Sequence, residues 1–473
     1  MKRSALALLV IALPTVCIAG DATPASVVDI KPKETFAVVW DRLQNSGFKG
    51  VHEGLDWAAL KVKHQSEIEA AADIRQLRKE INELLEDLKA SHFALIPAEA
   101  MPESGKAPPP GLADTGLRFA LAGEQMLVER VLPGSSAEKA GIRAGWSVDG
   151  IDGSDIAAAL KATVELDDNA RRKGETFLLS HANKQAMGIP VDTRLALRLR
   201  DAAGTPRALE VTAVADPALQ SVRLPGLPTM PLRIAYRRID RAAAGGCTLH
   251  FDFSQWAMPV YEALSDALRE HPTCDGVVLD LRGNSGGLIP SLTAVSGLFV
   301  EKPTSLGTMT LGDGQSLQLM ALPRQVSDDG REIRRHTGKL AILTDRGSVS
   351  CSDIFPAGLQ AVGRARIFGS PSAGMALPAV AVPLPSGDRL LYPTADFVDP
   401  LKRRIEGVGV VPDQSVVPSP ASLAQGGDPV LDAAVAWLGG STCSRFWAQC
   451  IHPHPRHHRS RTWPTDPHSP SLR

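Results

Sequence analysis

The sequence predicts a multidomain protein: a helical N-terminal region, a β-rich domain, and an α/β layered core. Three observations carry this. Apolar residues recur at three-to-four spacing up to about Ile96. Short strand patterns separated by glycine turns follow. From Leu232 to Leu438 strand and helix patterns alternate, which argues a layered α/β unit. The chain has 473 residues, enough for about three domains at roughly 150 residues each. Lys+Arg 51 against Asp+Glu 52 leaves a net charge of -1, so no global electrostatic pull toward nucleic acid or an anionic surface exists.

Residues 1–20 read as an export signal: Met1-Lys-Arg-Ser, the apolar run Ala5 to Val16, then Cys17-Ile-Ala19-Gly20. The run is too short for a comfortable membrane span, and no later stretch replaces it. Lipid anchoring at Cys17 is disfavoured, because Pro14-Thr15-Val16 lacks the small residues that belong before a lipidated cysteine. The expected location is periplasmic or extracellular. Cys247, Cys274, Cys351, Cys443 and Cys450 remain, an odd number that leaves at least one thiol unpaired within the chain. Their spacing matches no zinc site, and neither metal nor cofactor is expected.

Residues 21–105 form the helical region, with one amphipathic helix expected over Ser66 to Leu88 from Ile74, Leu77, Ile81, Leu84 and Leu88. The cluster Lys106-Ala-Pro-Pro-Pro-Gly-Leu marks a boundary. In 106–216, strands are expected at Leu127 to Val131 and Leu195 to Leu199, with a helix near Ser135 to Ala140. The core occupies 217–440. Residues 441–473, with five histidines among prolines and arginines, read as a solvated tail to which no role is assigned.

Two core segments carry candidate chemistry. Leu340-Ala-Ile-Leu-Thr-Asp-Arg-Gly-Ser-Val-Ser-Cys-Ser-Asp runs from a buried strand through a glycine turn into a helix start, where free N–H groups can stabilise an oxyanion. The same segment reads as helix capping, since Ser350-x-x-Asp353 is close to a capping box. Gly276-Val-Val-Leu-Asp-Leu-Arg-Gly-Asn-Ser-Gly-Gly287 places a strand before a glycine-rich turn whose N–H groups can face a carbonyl oxygen. A nucleotide site is weak here, because no Gly-Lys-Ser/Thr follows.

The β-rich domain resembles a PDZ domain over Gly116-Leu-Arg-Phe119, Val131 to Gly145 and Val148-Asp-Gly-Ile-Asp-Gly153, with Trp146 where an aspartate is common and an insertion over Ala157 to Met187. The resemblance implies that Gly116, Leu117, Arg118 and Phe119 receive a peptide C-terminal carboxylate. In order and motif the chain resembles the C-terminal-processing, or tail-specific, serine protease family, whose core is ClpP/crotonase-like. The carrying residues are Asp280-Leu-Arg-Gly-Asn-Ser-Gly-Gly, Ser348-Val-Ser-Cys-Ser-Asp and Glu406-Gly-Val-Gly-Val-Val-Pro-Asp413. The resemblance implies Ser350 as nucleophile, rather than Ser348 or Ser352, and an oxyanion hole from Cys351 with Gly286 or Gly287.

The lysine of the family's Ser/Lys branch is replaced by Met375, whose thioether cannot serve as base. By similarity to the tricorn-core histidine branch, His250 in Cys247-Thr-Leu-His-Phe-Asp-Phe253 is the expected base and Glu406 the carboxylate. That branch has a serine immediately before its histidine, where this chain has Leu249. His92, in Ala90-Ser-His-Phe, resembles the Asp-Ser-His segment closing the family's helical region, and packing or capping is the favoured reading there. Glu406 reads otherwise as a turn glutamate, and His250 as a structural strand histidine. Cys351 reads as a small buried residue, and a Cys247 to Cys274 disulfide stands as one pairing among those open. The expected function is an exported serine endopeptidase acting on protein or peptide substrates. The alternative is a catalytically degenerate PDZ-containing peptide-binding protein, favoured by Met375, Leu249 and a Pro356 that would bend the nucleophile's helix.

Overall fold

The structure, a computed structural model, describes residues 30–48, 54–101, 112–241, 246–324, 326 and 330–439. The expected export signal, the Pro-Gly boundary through Gly111, and the His-rich tail with Cys443 and Cys450 lie outside these residues. No helix among the described residues is long and apolar enough to cross a membrane.

The N-terminal region is three helices, Pro32–Gln44, Trp57–Glu69 and Ile74–Asp87. The single helix expected over Ser66 to Leu88 is therefore broken. Asp73 stops it, because its carboxylate accepts from Arg75 N and Gln76 N and starts a new helix. Leu77, Ile81 and Leu84 are buried, as their spacing requires, and pack with Leu377, Leu384, Leu390 and Tyr392 of the core. That contact brings the residues after Leu88 against the core's hairpin Ala379–Pro383/Arg389–Pro393, where Ala94–Ile96 adds a third strand.

A second sheet orders Leu117–Ala122, Gln125–Val131, Ser147–Ile151, Arg194–Arg200 and Pro206–Thr212, with Leu117–Ala122 at one edge. The expected insertion folds as Ile156–Thr163 and the long helix Asp168–Ala186. Leu178, Leu179, Ala182 and Ala186 of the long helix pack on Leu117 and Phe119.

The core holds a seven-stranded sheet: Leu219–Arg223, Thr229–Asp240, Cys247–Phe253, Cys274–Asp280, Lys339–Thr344, Arg366–Gly369 and Gln414–Ser415. The strands from Cys247–Phe253 onward run parallel. Side chains alternate between faces. Leu249, Phe251, Phe253, Val277, Leu279 and Ile342 pack on the side of the helices Met258–Glu270, Ile289–Gly297 and Cys351–Ala361. Val278, Ala341 and Leu343 face Pro429–Trp437 instead. Cys247 and Cys274, register partners on neighbouring strands, form a disulfide. The helix Cys351–Ala361 runs unbroken through the buried Pro356.

Candidate active site

Ser350 stands where the strand Lys339–Thr344 has turned into the helix Cys351–Ala361. Its backbone adopts φ 60, ψ -113, a conformation a serine holds only when its surroundings fix it. Two acceptors fix it: Ser350 N–H meets Met375 O at 2.9 Å and Asp353 Oδ2 at 2.9 Å. The other two serines of the segment are spent structurally. Ser348 Oγ donates to Leu281 O at 2.7 Å, and Ser352 Oγ accepts from Trp256 Nε1 at 2.8 Å.

The glycine-rich turn closes on Ser350. A methyl at Gly286 would stand 2.6 Å from Ser350 Cβ and 2.8 Å from Val349 O, so only glycine permits the approach. Of the oxyanion donors expected from the sequence, Gly286 must be corrected: its N–H is taken by Asn284 Oδ1 at 3.0 Å. Gly287 N–H and Cys351 N–H donate to no described residue, the latter because a first-turn helix amide has no intrahelical acceptor. Cys351 is buried, and burial pushes its thiol up to about 12, which removes it as a nucleophile at ordinary pH.

His250 is the main correction. Its register partner Val278 faces Pro429–Trp437, whereas the Ser350 helix packs on the opposite face with Leu249 and Phe251. His250 Nε2 lies 3.3 Å from Asp280 Oδ2, and Arg237 Nε donates to Nδ1 at 3.4 Å. The histidine thus belongs to a buried ion cluster and not to the Ser350 side of the sheet. At that cluster's centre Arg282 reaches Asp280 at 2.6 Å, Asp428 at 2.7 Å and Glu129 at 2.7 Å. Arg130 adds Asp252 at 3.0 Å, so the second sheet and the core share these charges.

Glu406 reaches a different histidine. Glu406 Oε2 accepts from Ala376 N–H at 2.8 Å and from Ser91 Oγ at 3.0 Å, while Oε1 accepts from Ser91 N–H at 3.0 Å. Ser91 Oγ is 2.8 Å from His92 Nδ1. Since the hydroxyl proton goes to Glu406, Ser91 accepts from Nδ1–H, and the neutral ring keeps its lone pair on Nε2. His92 itself has φ 59, in the left-handed region. Burial pulls its ring down to about 4, keeping it neutral. Glu406 is raised by burial, opposed by its hydrogen bonds and by Lys173.

The site is thus built from three remote segments. Met375 O holds Ser350, the next residue's N–H holds Glu406, and Glu406 holds Ser91 beside His92. From the sequence alone His92 reads as packing or capping, and His250 is the expected base. The adjacent Ser91-His92 pair was the available signal, because it supplies the serine that Leu249 denies His250.

The long helix Asp168–Ala186 spans this region. Asn169 Nδ2 donates to Lys89 O at 3.3 Å, Glu175 pairs with Arg346 at 3.3 Å, and Arg346 donates to Ser372 O at 3.0 Å. At its far end Asn183 takes Phe119 N–H on Oδ1 at 3.0 Å and gives Nδ2–H to Phe119 O at 3.3 Å. The expected carboxylate loop is therefore engaged already. Gly116 N–H goes to Asp114 at 2.7 Å, Leu117 N–H to Thr115 Oγ1 at 3.4 Å, and the Arg118 guanidinium to Asp114 at 2.6 Å. Among the described residues no cluster of His, Cys, Asp and Glu fits a metal ion.

Peptidase family S41 matches residues 248–416. The chloroplastic C-terminal processing peptidase of Tetradesmus obliquus is 27% identical over 300 residues, covering 63% of this chain and 58% of that one. The carboxyl-terminal-processing protease of Synechocystis sp. is 25% identical over 309 residues, covering 64% and 62%. The chain thus spans less than two thirds of the length of these curated relatives. The solved photosystem II D1 C-terminal processing protease shares the fold with TM-score 0.55 at 21% identity, covering 85% of this chain and 99% of that one. The α/β core of this chain, from the strand Cys247–Phe253 through Gln414–Ser415, is thus the part that is similar to peptidase family S41.

Proposed function

We propose that this protein is an exported serine-type peptidase that cleaves protein or peptide substrates through an acyl-enzyme at Ser350. His92 is the general base, oriented by Ser91 and Glu406. The observation that carries this reading is the hydrogen-bonded run from Glu406 through Ser91 to His92, anchored on the loop that also holds Ser350. His92 Nε2 takes the Ser350 hydroxyl proton as Oγ bonds to the scissile carbonyl carbon. The carbonyl oxygen gathers negative charge against Gly287 N–H and Cys351 N–H. Collapse breaks the C–N bond, and the amine leaves with the proton from His92. Water, deprotonated by the same nitrogen, then frees the acid and restores Ser350.

The PDZ-like unit acts in substrate selection or gating, with Asn183 occupying the place of a peptide strand beside Phe119. The Cys247–Cys274 disulfide supports an oxidising compartment. The test is a fluorophosphonate reaction on the full chain with the adduct mapped by mass spectrometry. An adduct on Ser350, absent in Ser350→Ala, supports the reading. A folded wild type without adduct on Ser350 returns the degenerate peptide-binding protein.

A further inference from the structure

Asp353, three residues into the nucleophile's helix, is fully buried and accepts from one other segment, the loop Ser372–Met375, as well as from its own. Its Oδ2 takes Ser350 N–H at 2.9 Å and Met375 N–H at 3.1 Å, and its Oδ1 takes Gly374 N–H at 2.9 Å and Ser372 Oγ at 2.5 Å. Ser372 Oγ accepts Val410 N–H at 2.7 Å, so its own proton points at Asp353. All four partners are donors. The loops they belong to interlock at glycines: a methyl on Gly374 would stand 2.7 Å from Gly409 N, and one on Gly409 2.5 Å from Ser372 O.

We propose that Asp353, as a carboxylate, is the positioning residue that holds the two halves of the catalytic site in register. One half is Ser350, kept in its strained conformation through its N–H. The other is the Ser372–Ala376 loop, whose Ala376 N–H fixes Glu406 and through it Ser91 and His92. This rests on the reading of Ser350 as nucleophile. Protonation would set an O–H against one of four donors and loosen the loop from the serine. Burial pushes the Asp353 carboxyl up to about 7, opposed by its hydrogen bonds and reinforced by Glu406 on the adjoining loop. Arg346 on the strand-to-helix loop and Cys351 on its own helix are the other ionisable groups it acts on.

The experiment measures fluorophosphonate inactivation of the full chain against pH for wild type, Asp353→Asn and Ser372→Ala, with folding checked by thermal melting. For Asp353→Asn the maximal inactivation rate should fall at least ~10-fold with the half-saturating concentration unchanged, an orientation effect within general-base catalysis. The wild-type rate should decline below about pH 7, and the variant should lack that limb and decline only toward the His92 range. Ser372→Ala, which removes one donor, should move the same way by less and serves if Asp353→Asn does not fold. A folded Asp353→Asn that labels at the wild-type rate with the same acid limb overturns the proposal while leaving Ser350 as nucleophile. A wild type whose Ser350 does not label overturns both.

Discussion

Ser91 and Glu406, 315 residues apart in the chain, are joined by two hydrogen bonds of 3.0 Å, one from the backbone and one from the hydroxyl. The pairing makes the helical N-terminal region part of the candidate catalytic machinery, since it alone carries His92. Ser91→Ala should remove the acceptor for His92 Nδ1–H and cut turnover by part of the ~10²–10⁴-fold that general-base catalysis supplies, with little change in KM. Steady-state kinetics on any peptide substrate checks this. A Ser91→Ala enzyme with unchanged kcat contradicts it.

The Arg282 side chain is 2% exposed and pairs with Asp280, Glu129 and Asp428. Arg282→Leu would leave buried carboxylates without their cation, a loss of about 3–5 kcal/mol. Urea unfolding should show the midpoint falling accordingly, and a shift below the resolution of the measurement would refute the cluster's role.

The same cluster sets a pH dependence. The Glu129 carboxyl is pushed up to about 7, first by burial and then by Asp428 and Asp280, with Arg282 and Arg130 opposing. A folded value above the ordinary 4.5 means the folded state binds this proton more tightly. Its contribution is fully present below the ordinary value and is lost as pH rises through about 7. Glu129→Gln does not titrate, so its stability relative to wild type should rise between pH 5 and pH 8, on the order of 1–3 kcal/mol. Denaturant midpoints at the two pH values check the sign, and a relative stability that falls is the contrary result.

The Cys247–Cys274 bridge closes a sequence separation of 27. Replacing both cysteines by serine should cost about 2–4 kcal/mol through the unfolded chain's regained freedom. Chemical unfolding of the double variant under non-reducing conditions measures it, and an unchanged midpoint would show that the bridge does not constrain the unfolded chain.

Asn183 satisfies both backbone groups of Phe119. Asn183→Ala should free the strand edge and raise the affinity of a peptide with a free C-terminal carboxylate by several fold, read by fluorescence anisotropy. Unchanged affinity would mean that Asn183 is no latch on this strand edge.

The core's alternation, the glycine turn and the helix start at Ser350 were legible because each is local: strand period, turn chemistry and helix termination act within a few residues. The candidate base His92 was not, because Ser91-His92 reaches Glu406 through Leu77, Ile81 and Leu84 packing on the hairpin Ala379–Pro383/Arg389–Pro393, a contact no local pattern encodes. The parity of the strand Cys247–Phe253 did carry a warning. Leu249, Phe251 and Phe253 are the apolar positions, so a core on their side sends His250 to the other face. The helix break at Asp73 was legible too, as a capping aspartate within an apolar repeat.

The proposed mechanism requires that His92, and not His250, activates Ser350. The second-order rate of fluorophosphonate labelling of Ser350 in His92→Ala and His250→Ala, each confirmed as folded, tests it most directly. The rate should fall by ~10²-fold or more in His92→Ala and stay within a few fold of wild type in His250→Ala. Labelling that survives loss of His92 but not of His250 would remove His92 as the base of Ser350.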